Sequence, residues 1–402
     1  YGRSPWVDQY PKSRLPSHPR HRGFSSVDAV VVGGGLTGCA TAYAFAAAGI
    51  KVVLLEAESI GRGTTSGSTG WISDEPGIAF ADLEKAMGLR AARHAFQLWR
   101  RAALDFMALL RRLDLKCQLE PQSGLTIALT PEQTVRLKRE QKARRDAGFD
   151  TPAVTARAVA TEVAIGATMG LRSRDEATVN PFRACLGLAG AAAERGAQIF
   201  ERSAARKIKF GRKNAVVNTA GGTIRTRRVI VATGMPTPLF RSLARHFWFR
   251  SAYSALTAPI PTKIRQKLGA RASVVRDMAE PSHVVRWVDD ERLLVTGADI
   301  QSPPERQRQK VIVPKTGQLM YELSVLYPEI SGIQPDYGWN MPYARTAEGL
   351  PYIGPHRNFP HHLFMFGDSS HSVTGAYLAS RIFLRHHLGE AESADHVFGF
   401  TR

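Results

Sequence analysis

The sequence predicts an α/β protein in two parts, one part nucleotide-binding and discontinuous, the other a mixed-sheet α+β domain. Three observations carry this. The stretch "DAVVVGGGLTGCATAYAFAAAGIKVVLLEAE", starting at Asp28, joins an apolar strand, a glycine turn, an alanine-rich helix and a second strand. That is the layout of a βαβ unit of about thirty residues. Glycine-rich loops return in the last block, Gly338 to Gly389, while the stretches in between carry helices and alternating strands without nucleotide-like glycine loops.

In chain order, residues 1–26 read as an extended arm rich in proline and basic residues, with Trp6 as its anchor on the body. After the βαβ unit, a long helix is expected over about 79–113, then short strands near "GLTIAL". A charged helix opens at "TPEQTVRLKREQ", where Thr130 and Glu132 suit a helix start. "TVNPFRACLGLAGAAAERGAQIFE" reads as a helix after Pro181 and a strand over Ala197 to Glu201. "AVVNTAGGTIRTRRVIVATG" reads as a hairpin turning at Gly221 and Gly222 into the strand Val229 to Ala232. Alternating strands and one helical segment fill 247–333, and the helix "GAYLASRIFLRHHLG" closes the last block. The division is an arm at 1–26, a nucleotide-binding domain at 27–78, 166–245 and 336–402, and a second domain at 79–165 and 246–335.

Composition narrows the function. Lys and Arg number 54 against 35 Asp and Glu, a net charge of +19. The excess is dispersed and has no interleaved aromatic pattern, which excludes nucleic acid as the expected partner and leaves contact with an anionic membrane surface open. No run approaches the roughly 18 apolar residues of a membrane span, and no secretory signal is expected. Cys39, Cys117 and Cys185 have no metal-like spacing, so a reducing cytoplasm is the expected home. The pairs His361-His362 and His386-His387 are adjacent and point apart in regular structure; they are expected to be solvated, and no metal is expected.

In the loop Gly33-Gly34-Gly35-Leu36-Thr37-Gly38, Gly33 permits a tight turn, Gly35 lets the backbone approach a pyrophosphate, and Gly38 lets the helix pack on the strand. Phosphates would sit on the helix N-terminus at Leu36 and Thr37. Glu56, ending the second strand, is placed to accept from ribose hydroxyls and argues against a 2′-phosphate, hence against NADP. The loop alone does not separate NAD from FAD. The following "IGRGTTSGSTGWI" is a run of small hydroxyl and glycine residues that suits a chain led past a pyrophosphate and ribityl chain to a flavin edge.

At these residues the chain resembles the D-amino-acid oxidase superfamily of FAD enzymes, over about Val27 to Gly389. The resemblance implies a Rossmann-type FAD-binding domain and a substrate domain, with FAD contacts at Ala57, Gly63, Thr64, Thr65, Ser66 and Gly70 and with Trp71 near the flavin ring and substrate. "RRVIVATG" is similar to the family's second FAD strand and implies Thr233 and Gly234; "ERSAARKI" implies Ala205 at the adenine. "RTAEGLPYIGP", Arg345 to Pro355, matches T-x-D-G-x-P-x-I-G with Glu348 in the acid position. "FMFGDSSHSVTGAYLAS" is similar to the loop that closes over the flavin. It implies Gly367, Asp368, Ser370, His371, Ser372, Val373 and Thr374, with backbone N–H groups around 372–374 facing the flavin C2 carbonyl.

The implied reaction is FAD-dependent oxidation of the C–N bond of an amine or amino acid, by hydride transfer to flavin N5 and hydrolysis of the imine. Tyr343 stands where relatives hold the substrate carboxylate with an arginine, and the arginine here is Arg345; both, with His371 and Trp71, are implied to border substrate. Arg286 is a second candidate. Met341 stands near the place of a cofactor-linking cysteine and "SGSTGW" has no histidine, so noncovalent FAD is implied. Val295 or Thr296 falls where some relatives carry an oxygen-activating lysine, so oxygen or another electron acceptor remains open. "GDSSH" also looks like a flavin monooxygenase motif. Three alternatives therefore stand: that monooxygenase, an NAD dehydrogenase, and a non-catalytic FAD-binding protein.

Overall fold

The structure is a computed structural model that describes residues 1–368 and 372–402. Among the described residues, one eight-stranded sheet runs in the order 352–356, 359–366, 222–234, 23–32, 52–55, 198–200, with the hairpin strands 215–218 and 207–210 added beside 222–234. Its central strands are parallel, in register Val30 with Val53 on one side and Val229 on the other. A strand covered on both faces must be apolar throughout, and Val30, Val31, Val53 and Leu54 are fully buried. The helices Leu36–Ala47, Pro181–Glu194 and Thr374–Leu388 pack together over this sheet. Their alanines allow that close approach.

The second sheet has nine strands in the order 335–345, 248–257, 292–301, 284–288, 273–277, 120–128, 169–178, 71–72, with 153–155 beside 169–178. It is antiparallel except where 273–277 runs parallel to 120–128. The helix Glu305–Leu326 covers one face through Ile312, Leu319 and Leu323.

The helix expected over 79–113 is two, Phe80–Met87 and Leu89–Arg112, because Gly88 takes a left-handed φ of +85° and turns the chain. The longer one buries Trp99 and Phe106 in the core of the first sheet's helices, with Phe106 stacked on Tyr377 at 5.3 Å. The arm is not wholly extended: Pro5–Asp8 forms one helical turn, and the first strand already begins at Gly23, paired with Gly222. Strands 71–72, 169–178 and 335–345, grouped by sequence with the nucleotide-binding segments, pair into the second sheet. His362 is 1% exposed rather than solvated, stacked on Phe364, with its pKa lowered by burial to about 4. It lies on a parallel strand covered on both sides, so either face of that strand is interior.

Candidate active site

The glycine loop leaves the first strand at Gly33, whose φ is +108°; a Cβ there would meet the Ala232 carbonyl oxygen at 2.7 Å. A Cβ on Gly38 would come within 1.8 Å of the Gly33 carbonyl oxygen, so helix and strand touch through backbone alone. Gly34, given no role from sequence, is hemmed in by Ile60 and Glu56 and donates its N–H to Glu56 Oε2 at 2.6 Å. The other Glu56 oxygen accepts the Glu58 N–H at 2.8 Å. Glu56 thus braces the loop as well as facing the cavity. At the helix N-terminus, Leu36 N–H donates to Thr65 Oγ1 at 2.8 Å.

These elements border a cavity of about 870 Å³. Gly33, Gly35, Glu56, Ala57, Gly63, Thr64, Ser66, Ala205 and Thr233 lie in its wall. So do Gly2, Arg3 and Ser4 of the arm, which local sequence could not announce. A smaller cavity of about 110 Å³ adjoins it through shared Thr64, Met235 and Pro342. Leu36, Thr37, Thr65, Gly234, Met341, Tyr343, Asp368, Ser372 and Val373 line that space. Glycine turns, a helix N-terminus and an acidic strand end facing a long cleft fit a dinucleotide with its pyrophosphate on the helix.

The loop 67–70 is held by three side chains acting on three successive carbonyls. Trp339 Nε1 donates to Gly67 O at 2.9 Å, Trp6 Nε1 to Ser68 O at 2.9 Å, and Arg286 Nε to Thr69 O at 2.7 Å. Gly70 then turns with a φ of +70°, tight against the Val179 carbonyl. Arg286 also donates to the Trp287 and Val179 carbonyls and lies 5.2 Å over the Trp6 ring. Burial lowers its pKa to about 10. Trp71 does not line either cavity: its indole turns into the second sheet beside Val274 and Val284 and donates to Glu176 Oε2 at 2.7 Å. Strand alternation decides this, since a one-residue step reverses the face.

At the closing loop, Val373 N–H donates to Trp71 O at 2.8 Å and Thr374 N–H to Ser372 Oγ at 3.1 Å. Of the N–H groups expected to face a flavin carbonyl, these two are engaged within the protein. Gly367 has a φ of +86°, and Asp368 lies against Gly375, where a Cβ would approach its Oδ2 within 2.1 Å. Ser370 and His371 lie outside the described residues.

A third cavity, about 720 Å³, opens on the far side of Tyr343, which borders it and the 110 Å³ space alike. Tyr343 donates to Asp299 Oδ2 at 2.5 Å, and burial with the Asp299 charge pushes its pKa up. Arg345, Arg250 and the segment 277–282 complete much of the wall. Behind it lies a buried ionic network whose long-range partners the local sequence does not mark. Arg144 forks onto both oxygens of Glu75 at 2.7 and 2.6 Å and reaches Glu140 at 2.6 Å. Burial opposes ionisation of Glu75, but Arg144 and then Arg276 outweigh it and hold the carboxyl at about 2. Glu176, buried beside the Asp74 and Glu75 charges, is pushed well up. Cys39 and Cys185, free and buried, bring their sulfurs to 3.6 Å beside the Gly34 carbonyl. Among the described residues no group of three His, Cys, Asp or Glu is arranged to hold a metal, and no helix is long and apolar enough to cross a membrane.

The doubly covered parallel sheet, its glycine turn and the acid at the next strand end define a dinucleotide-binding protein. Residues 28–385 match the DAO family, described as FAD dependent oxidoreductase, and the chain belongs to that family. It is 28% identical over 376 residues to gamma-glutamylputrescine oxidoreductase of Escherichia coli, covering 92% of this chain and 85% of that one. The fold is similar to L-amino acid deaminase from Proteus vulgaris, with a TM-score of 0.78 at 15% identity over 96% of this chain and all of that one. Glycine oxidase from Geobacillus kaustophilus superposes with a TM-score of 0.75 at 17% identity, over 94% and 99% of the two chains.

Proposed function

We propose that this chain oxidises the C–N bond of an amine or amino acid, with FAD noncovalently held in the 870 Å³ and 110 Å³ cavities and substrate entering from the 720 Å³ chamber. The observation that carries the reading is Tyr343, whose buried side chain is shared by the cofactor-side space and the chamber. The relatives' names, an oxidoreductase of gamma-glutamylputrescine, an amino acid deaminase and a glycine oxidase, support a nitrogen-bearing substrate.

When bound, FAD supplies the two-electron acceptor for the hydride leaving the carbon next to nitrogen. The chain's own part is binding and orientation. Glu56 and the N-terminus of Leu36–Ala47 would hold the ribose and pyrophosphate, and Thr64, Thr65, Ser66, Thr233, Gly234 and Asp368 would hold the rest of the cofactor in the two cavities. Tyr343, locked by Asp299, fixes the width of the passage through which a neutral amine reaches the reacting face. The imine formed loses its nitrogen to water. Trp71 acts from behind the site, through its carbonyl on Val373. Met341 in the 110 Å³ space supports noncovalent attachment, the strands of the second sheet with their covering helix form the substrate domain, and three free cysteines suit a cytoplasmic setting.

Anaerobic mixing of the yellow holoprotein with amines and amino acids, followed at the flavin band, tests the reading. Bleaching by one class supports it, and readmitted air then separates oxygen from another acceptor. A flavin that no amine or amino acid bleaches refutes it.

A further inference from the structure

An α-amino acid brings its carboxylate one bond from the reacting carbon, so its countercharge has to stand beside the cofactor-side space. Among the described residues, no Lys or Arg lines the 110 Å³ cavity. Arg286, the second cation on offer, is spent on the carbonyls of Thr69, Trp287 and Val179 and on the Trp6 ring.

The cations stand further out, around the 720 Å³ chamber. Several are already neutralised. Arg144 is taken by Glu75 and Glu140, Arg276 by Glu75 at 3.2 Å, and Arg136 by Glu280 at 3.1 Å. Arg250 reaches the Asp299 carbonyl oxygen at 3.0 Å and no carboxylate. Arg139 and Arg345 are exposed into the chamber with no side-chain hydrogen bond or ion pair among the described residues. Facing them, Asp277 is bound to His283 and Asp299 to Tyr343, which leaves Asp82 as the carboxylate on the wall that is unpaired among the described residues.

Geometry sets the distance. Tyr343 and Arg345 are two residues apart on the strand 335–345, so they point to the same face about 7 Å apart. Tyr343 is 9% exposed and touches the cofactor-side space; Arg345 is exposed and touches only the chamber.

We propose that the substrate is an amine carrying a carboxylate at its far end, with Arg345 and Arg139 gripping that carboxylate at the chamber mouth while the amine passes Tyr343. This rests on the amine-oxidising reading above and names the substrate class for that site. A guanidinium with free donors matches a carboxylate in charge and fork geometry.

The test is anaerobic flavin reduction in the holoenzyme with three probe series of matched chain length: ω-amino acids, n-alkylamines and α-amino acids. The expected result is half-saturation by ω-amino acids at concentrations about tenfold or more below those of alkylamines, with similar limiting rates. In Arg345→Met and Arg139→Met, chosen because both side chains are exposed and unpaired among the described residues, that preference collapses toward one through the half-saturation concentration rather than the limiting rate. Lysine in place of Arg345 restores part of it. Equal half-saturation by acids and alkylamines overturns the proposal and leaves amine oxidation standing. So does better reduction by α-amino acids, which would put the carboxylate beside the flavin. If no probe bleaches the flavin, the amine-oxidising reading fails and the proposal falls with it.

Discussion

His283 sits between two carboxylates, Asp277 Oδ2 at 2.6 Å from Nδ1 and Glu322 Oε2 at 2.9 Å from Nε2. It clasps the chamber segment 277–282 to the helix Glu305–Leu326. Burial alone lowers its pKa, but Asp277 and then Glu322 outweigh that and raise it to about 9. The unfolded value is about 6.5. A group whose pKa rises on folding adds stability that is complete below the unfolded value and lost as pH climbs through the folded one. The window is therefore about pH 6.5 to 9. At 1.36 kcal/mol per unit, the full contribution is about 3 kcal/mol. Urea unfolding of wild type and His283→Gln at pH 6 and pH 9.5 reads it out. Wild type should lose about 3 kcal/mol more than the variant between the two pH values. Parallel pH dependence in the two proteins would refute the clasp.

Glu75→Gln should destabilise the fold by about 3–5 kcal/mol, because it leaves the buried Arg144 guanidinium without its forked partner. Glu176→Gln should stay within about 1 kcal/mol, since burial beside Asp74 and Glu75 already disfavours the charged carboxylate and the amide still accepts from Trp71; urea unfolding at neutral pH compares the two. Gly38→Ala puts a Cβ 1.8 Å from the Gly33 carbonyl oxygen and should yield protein that is colourless after desalting. Glu56→Ala removes the acceptor for the Gly34 and Glu58 N–H groups and should weaken FAD binding about tenfold or more, measured by fluorescence titration of apoprotein.

The parts legible in the sequence are those in which chemistry and spacing are local. Gly33, Gly38 and Glu56 fall within one βαβ unit, and backbone geometry dictates their identities. Gly34 is given no role by the sequence, because its partners Ile60 and Glu56 lie beyond the next helix. Trp71 shows the opposite case: its indole packs into the second sheet, and the two-residue strand offers too little alternation to read that face from sequence. The ionic network joins Glu75, the helix pair Glu140 and Arg144, and Arg276 across three segments; the i,i+4 spacing marks the helix pair, but nothing near Arg144 marks Glu75 as its partner. The helix Leu89–Arg112 carries an apolar stripe that says it is buried and not which sheet it covers.

Trp6 and Gly2 give the arm a meaning beyond packing. Gly2 N–H reaches the Gly338 carbonyl at 2.7 Å, and Gly2, Arg3 and Ser4 stand in the wall of the cofactor cleft while Trp6 grips the loop at its inner end. A cofactor in that cleft would be shut in on one side by the arm, so its dwell time would act as a clock for how often the arm lets go.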